Sequence, residues 1–297
     1  MRHAVLGVGG VGGLVAGALA RAGQEVLLIL RPETLAAYPG GVRVESAVVG
    51  GIDVDVPAAA RLDRPVDVLW FTVKATTLEA ALSAASPAVA PQAVVVPLLN
   101  GVEHVARLRE VYGEAVIPGA IRVESERVGV AHVVQSSAFA AVELAPAPPL
   151  RSRAEAIARE LRSAGLACEV RGSEPDLLWG KLALLAPLAL ATSVSQQPIG
   201  GVRSDAALQE LMVACAREVC AVAAAEGARL DPAGYERALL VGLPGEMRSS
   251  MQKDLAARRP LELDAIAGPV LRAGRRQGVP TPATEELARR VADAQAL

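Results

Sequence analysis

The residues that build metal sites, disulfide frameworks and aromatic platforms are scarce in this chain. Its 297 residues include three cysteines (Cys168, Cys215, Cys220) and three histidines (His3, His104, His132), and aromatics make up 2%. The cysteines are odd in number and lack CxxC spacing, so neither a disulfide framework nor a zinc site is expected, and a reducing, cytoplasmic setting fits. An excess of one charge is missing as well. Lys plus Arg number 30 against 32 for Asp plus Glu, split 16 against 17 over residues 1–172 and 14 against 15 over the rest. That balance leaves no basic face able to track a phosphate backbone, so nucleic acid is not an expected partner.

Long apolar runs are absent too. Met1-Arg2-His3 and the uncharged stretch to Ala20 imitate a secretory signal, but six glycines (7, 9, 10, 12, 13 and 17) make it a poor apolar helix. The run Leu182–Ala191 is shorter than the ~20 residues a bilayer requires and contains Pro187. No membrane partner and no removed leader are expected. Lysine and asparagine are also rare: only Lys74, Lys181 and Lys253 among the basic residues are lysine, and Asn100 is the sole asparagine. In a chain that uses arginine almost everywhere, a retained lysine draws notice. Lys253, in the polar run Gln252-Lys253-Asp254, reads as composition drift.

What is present has a clear order. The length calls for two domains, each able to bury a core of its own. Ala4–Gly7, Glu25–Leu30, Val66–Val73 and Ala93–Leu99 are short continuous apolar runs separated by helical stretches near 10–22, 76–89 and 102–111. Continuous runs interleaved with helices are the pattern of a parallel sheet covered on both faces. Residues 42–56 read as an inserted hairpin around Gly50-Gly51, and 115–144 as alternating β, followed by a helix at 151–164 and a strand at 166–171. Beyond Gly172 the pattern is helical throughout, near 174–196, 205–227, 232–240, 246–257, 263–277 and 282–295. The expected fold is α/β: an N-terminal Rossmann-type doubly wound parallel sheet over residues 1–172 and an all-α C-terminal domain over residues 173–297. The apolar C-terminal helices serve equally as core or as a dimer face, leaving monomer and homodimer both open.

Gly7-Val8-Gly9-Gly10-Val11-Gly12 is a G-x-G-x-x-G placed after the first strand and at the start of the first helix. The first glycine permits the tight turn, the second lets backbone N–H groups approach a pyrophosphate, and the third lets helix and strand pack closely. A dinucleotide is therefore the expected ligand, against a Gly-rich turn in a ligand-free domain. The second strand ends in Leu30-Arg31-Pro32 rather than in a carboxylate. Arg31 favours NADP(H), because a guanidinium engages a 2′-phosphate bidentately; the competing account is an exposed turn arginine with Glu33 close by.

Lys181 follows Trp179-Gly180 near the start of the first helix after the boundary and is succeeded by an almost wholly apolar segment. Such a lysine either snorkels to water or faces a functional cavity. Reduction of a carbonyl needs a hydride and a proton, and a desolvated lysine can supply the proton where an arginine, always charged, cannot.

Taken together, Gly7 to Gly12, Arg31, Thr72-Val73-Lys74-Ala75, Leu99-Asn100-Gly101, Leu178-Trp179-Gly180-Lys181-Leu182, Ser249-Ser250-Met251 with Asp254, and Glu262-Leu263-Asp264 with Gly268 resemble the ordered motifs of the ketopantoate reductase (2-dehydropantoate 2-reductase) family. The resemblance spans essentially the whole chain. It implies NADP(H)-dependent reduction of a small 2-keto acid. It also implies that Lys181 is the proton donor, that Asn100 contacts nicotinamide and substrate, that Ser250 binds the substrate carboxylate, and that Glu262 serves the cofactor and the Lys181 network. Lys74 would assist at the 2′-phosphate and Ser125 would contact the cofactor through its backbone. Read from the residues alone, Asn100 is equally an Asn-Gly turn, Ser250 a helix-cap serine, Glu262 a solvated helix-start carboxylate and Lys74 a loop lysine. A non-catalytic NADP(H)-binding sensor is the alternative of a different class.

The chain departs from the family where further asparagines stand four and eight residues after the lysine and near the following turn. Leu185, Ala189 and Ile199 occupy those places. Residues at i+4 and i+8 share a helix face with Lys181, so an apolar substrate wall is expected there, and with it a preference for a more apolar 2-keto acid or a D-2-hydroxyacid dehydrogenase-like activity.

Overall fold

A computed structural model describes residues 1–296. Along the chain run β1 (Arg2–Leu6), α1 (Gly10–Arg21), β2 (Glu25–Ile29), α2 (Pro32–Ala36), β3 (Gly41–Ser46), β4 (Ile52–Asp55), β5 (Ala58–Ala59), β6 (Val68–Phe71), α3 (Leu78–Ala84), β7 (Val94–Pro97), α4 (His104–Tyr112), β8 (Gly119–Gly129), β9 (His132–Leu144), α5 (Arg151–Ser163) and β10 (Ala167–Val170). Helices only follow: α6 (Glu174–Ser195), α7 (Ile199–Ser204), α8 (Ala206–Ala225), α9 (Pro232–Arg237), α10 (Ser250–Ala256), α11 (Leu263–Gln277) and α12 (Pro282–Gln295). The chain forms two compact units. One comprises Met1–Leu99 and His104–Glu174, the other Asn100–Glu103 and Pro175–Leu297.

In the first unit β5-β2-β1-β6-β7 form an all-parallel sheet in that order. Strands β6 and β7 are buried at every position and β1 and β2 at all but the first, which is why their sequences are continuous apolar runs. The order reverses at β1, whose neighbours are β2 on one side and β6 on the other, so the carboxyl ends of β1 and β6 mark a topological switch point.

The hairpin expected at residues 42–56 is present as antiparallel β3–β4, but it does not stand alone. Strand β3 pairs in parallel with β9, and β9 pairs with β8 and β10, making a second, mixed sheet. Helix α1 packs against both sheets and is apolar all round, as a helix enclosed between two layers must be. Gly13 and Gly17 lie on its face toward the second sheet, where an added Cβ would press on Val133 and on Val44 respectively.

Several expected boundaries shift for local reasons. Strand β1 ends at Leu6 because Gly7 adopts φ +93°. The helix expected over 76–89 stops at Ala84, short of Ser86-Pro87. The helix expected over 232–240 becomes a π turn over Ala238–Gly242, and the one expected over 246–257 starts only at Ser250, after Pro244-Gly245. Helix α7 has no counterpart in the sequence reading, since Gly200-Gly201 interrupt its period.

The second unit buries Leu182, Met212, Val219, Val270 and Leu287 completely or nearly so. Helix α6 is 22 residues long, well beyond the apolar run Leu182–Ala191, and by length and composition it could cross a membrane. Its most apolar window is 78% buried, the burial of a core helix.

Candidate functional site

At the carboxyl end of β1 the chain must turn sharply into α1. Gly7 supplies the positive φ, and its N–H donates to the carbonyl of Ile29 at 3.1 Å. A Cβ at Gly12 would overlap the Gly7 carbonyl and the Thr72 hydroxyl. Thr72 donates from Oγ1 to the carbonyls of Leu6 (2.8 Å) and Gly7 (3.1 Å), fixing the loop from the neighbouring strand β6. Gly9 is the N-cap of α1 and has no side chain to cap the first-turn N–H groups. An uncapped helix start on a glycine turn is an anion cradle.

The second sheet covers one flank of this loop. Ser125 on β8 donates from Oγ to the Gly10 carbonyl at 2.8 Å, and a Cβ at Gly10 would overlap the Ser125 carbonyl. Arg31 is exposed two residues after β2, and its carbonyl accepts from the N–H of Leu35 at 2.8 Å as α2 begins. Lys74 is exposed three residues after β6, where its carbonyl accepts from Thr77. Arg31 and Lys74 thus follow the two strands that flank β1, at the carboxyl edge where a ligand of such a sheet binds.

In the second unit, Asn100 donates from Nδ2 to Oε2 of Glu262 at 3.1 Å. A carboxylate only accepts, so the amide nitrogen faces it and the orientation of the carboxamide is fixed. Glu262 is 9% exposed at the N-cap of α11, so it is enclosed and not the solvated helix-start carboxylate that the residues alone also allowed. Gly101 adopts φ +87° with the Ala265 carbonyl so close that a Cβ would overlap it. The Gly101 turn thus presses Asn100 onto the start of α11, against Glu262.

Arg272 completes this attachment. It holds Glu103 through Nε at 2.9 Å and Nη2 at 2.6 Å, and reaches Asp264 from Nη1 at 2.7 Å. Gly268 leaves the room this guanidinium occupies along α11. Arg272 was not singled out by sequence, since it pairs across 169 residues, and Thr72, quoted only as part of a motif, was given no role of its own.

Lys181 is half-buried on α6 between buried Gly180 and Leu182. The cap of α10 is Ser249 rather than Ser250. Ser249 Oγ accepts from the N–H of Gln252 at 3.1 Å and lies 2.8 Å from Thr192 Oγ1 on α6, leaving Ser250 exposed at the first helical position. Of the three positions expected to form an apolar wall, Leu185 is half-buried, whereas Ala189 and Ile199 are wholly enclosed among core residues. Among the described residues no group of three or more His, Cys, Asp or Glu side chains gathers as a metal site.

Comparison with known proteins is consistent over both units. Two family profiles match, Ketopantoate reductase PanE/ApbA over residues 3–149 and Ketopantoate reductase PanE/ApbA C terminal over residues 176–295. A 2-dehydropantoate 2-reductase of Mycobacterium tuberculosis (strain ATCC 25618 / H37Rv) is 32% identical over 295 residues, covering 96% of this chain and 94% of the relative. The crystal structure of a PanE/ApbA family ketopantoate reductase from Ralstonia eutropha JMP134 superposes with a TM-score of 0.90 at 30% identity, covering 100% of this chain and 99% of the other. A D-mandelate dehydrogenase shares the fold, with a TM-score of 0.89 at 21% identity and coverage of 100% and 99%.

Proposed function

The chain belongs to the ketopantoate reductase family, and from that premise we propose that it reduces the ketone of a 2-keto acid to the 2-hydroxy acid with NADPH. The name carried by the Mycobacterium tuberculosis relative makes 2-dehydropantoate the default substrate. In this reading residues 1–172 hold the nucleotide, and residues 173–297 supply the acid and, with Asn100, hold the substrate.

The dinucleotide fits the residues present. A cradle that a Cβ would fill at Gly10 and Gly12, an uncapped helix start and the cation of Arg31 suit a pyrophosphate and a 2′-phosphate. Gly7 to Gly12 and Ser125 would hold the former, Arg31 and Lys74 the latter. When bound, NADPH supplies the hydride.

The chain's own residues do the rest. Lys181 gives its ammonium proton to the nascent alkoxide, so that hydride and proton together convert the ketone to a secondary alcohol. Lysine suits the task because, unlike an always-charged arginine, it can give up a proton. Ser250 binds the substrate carboxylate. Asn100 orients the keto acid and the nicotinamide, and Glu262 keeps its carboxamide turned correctly. The observation that carries the reading is this enclosed Asn100–Glu262 pair: the chain's sole asparagine is oriented by a buried carboxylate. A 2-keto acid with a more apolar side chain is the second reading, favoured by half-buried Leu185 one helical turn beyond Lys181.

Lys181→Met tests the assignment of the acid. It should lower kcat by ~10²–10⁴ and leave NADPH affinity within a few-fold, because the glycine loop is untouched. An undiminished kcat would remove Lys181 from the mechanism and leave it a snorkelling helix lysine.

A further inference from the structure

The side chain of Gln135 on β9 is 2% exposed, yet it bonds to four other residues. Its Oε1 accepts from Ser46 Oγ at 2.6 Å and from the N–H of Val48 at 3.4 Å, tying it to the end of β3 and the turn before β4. Its Nε2 donates to the carbonyl of Ser137, to Ser137 Oγ at 2.8 Å and to the Phe139 carbonyl at 3.3 Å. Ser137 Oγ in turn donates to the Phe139 carbonyl at 2.6 Å and accepts from the N–H of Glu124 at 3.0 Å.

These bonds close an irregularity in the β8–β9 ladder. Val123 pairs with Ala140, but Ser125 pairs with Gln135, so one residue of β8 is opposed by residues 136–139 of β9. Without that excursion Ser125 would be opposed by Ala138, and the side chains of β9 beyond it would change face, turning Val133 away from Gly13 and displacing the sheet that holds β8 against the loop. With it, Ser125 lies against Gly10, donating from Oγ to its carbonyl.

We propose that Gln135 is a positioning residue for dinucleotide binding: its buried carboxamide fixes the β9 bulge whose register seats Ser125 on the glycine loop. The proposal rests on the reading that Gly7 to Gly12 hold the cofactor. Gln135 touches neither loop nor ligand and acts through Ser125. A bulge held from inside by one amide is a way to aim a single side chain at a site from a distant strand.

The test is NADPH affinity by titration together with steady-state kinetics on Gln135→Met, Ser125→Ala and the double variant. Gln135→Met keeps the length of the side chain and removes its donors and acceptor. Each single variant should weaken NADPH binding about 3- to 10-fold, the range expected for one hydrogen bond, with the change in KM for NADPH larger than that in kcat. The double variant should be no weaker than the worse single variant, because both act on one contact. A Gln135→Met protein that melts earlier but binds NADPH as the parent does would overturn the proposal. So would losses that add in full. Gly12→Val separates this outcome from failure of the underlying reading. If it still binds NADPH, the loop is not the cofactor site, whereas loss in Gly12→Val with unchanged Ser125→Ala and Gln135→Met sinks the positioning role alone.

Discussion

At the scale of single residues, the proposed chemistry rests on a few polar side chains in an Ala- and Arg-rich composition. Arg31 is the residue that would select between the two nicotinamide cofactors, since only NADPH presents a 2′-phosphate. A charge-assisted hydrogen bond contributes about 1.5–3 kcal/mol, so Arg31→Ala should weaken NADPH roughly 10- to 100-fold and NADH far less. Equal losses for both cofactors would mean that Arg31 does not touch the phosphate. The glycine loop was legible because its demands are local: a turn, a close approach and a helix start within six residues. The surroundings of Asn100 were not. Its partner Glu262 lies 162 residues away, and the turn that delivers it depends on the Ala265 carbonyl passing close to Gly101. Ser249 and Ser250 show how one position decides a role, as either could cap on sequence grounds, and only the phase of α10 assigns the cap to Ser249.

At the scale of elements, helices α11 and α12 follow their expected spans because period, caps and prolines all agree, with Gly278 in the left-handed conformation closing α11. The parallel sheet was legible as continuous apolar runs. The second sheet was not, because the parallel pairing of β3 with β9 joins residues nearly ninety apart and no local pattern encodes a partner that distant. The junction of α6 and α10 offers a direct check. Thr192 Oγ1 donates to the Leu188 carbonyl at 2.7 Å, so Ser249 donates its own proton to Thr192 while accepting from the N–H of Gln252. Ser249→Ala removes both the cap and a buried bond and should cost about 1–3 kcal/mol, read as a lowered denaturation midpoint. A change within a few tenths of a kcal/mol would mean that α10 does not depend on its cap.

At the scale of the whole molecule, buried polar groups couple folding to pH. His3 is 1% exposed, accepts at Nδ1 from Trp70 Nε1 at 3.1 Å, and lies 2.9 Å from Glu160 through Nε2. The Trp70 donor requires an unprotonated Nδ1, so the ring is neutral and Nε2 donates to Glu160. Burial holds His3 below the ordinary histidine value, and the Glu160 carboxylate only partly offsets it. The unfolded chain therefore takes up a proton, as pH falls below about 6.5, that the folded chain refuses. Stability should fall with acidification through that window and level off once the folded ring also protonates. His3→Gln should flatten this slope, and equal slopes for parent and variant would show that His3 is not the group responsible.

The account as a whole stands on the rate of NADPH oxidation by the intact protein with a panel of 2-keto acids, 2-dehydropantoate and branched or aromatic analogues among them, each repeated with NADH. It predicts saturable, NADPH-preferring consumption matched one for one by a 2-hydroxy acid. If 2-dehydropantoate leads the panel by tenfold or more, an apolar side-chain pocket at Leu185 is excluded. NADPH binding without consumption for any member of the panel would contradict the account and make the protein a nucleotide-binding relative that has lost turnover.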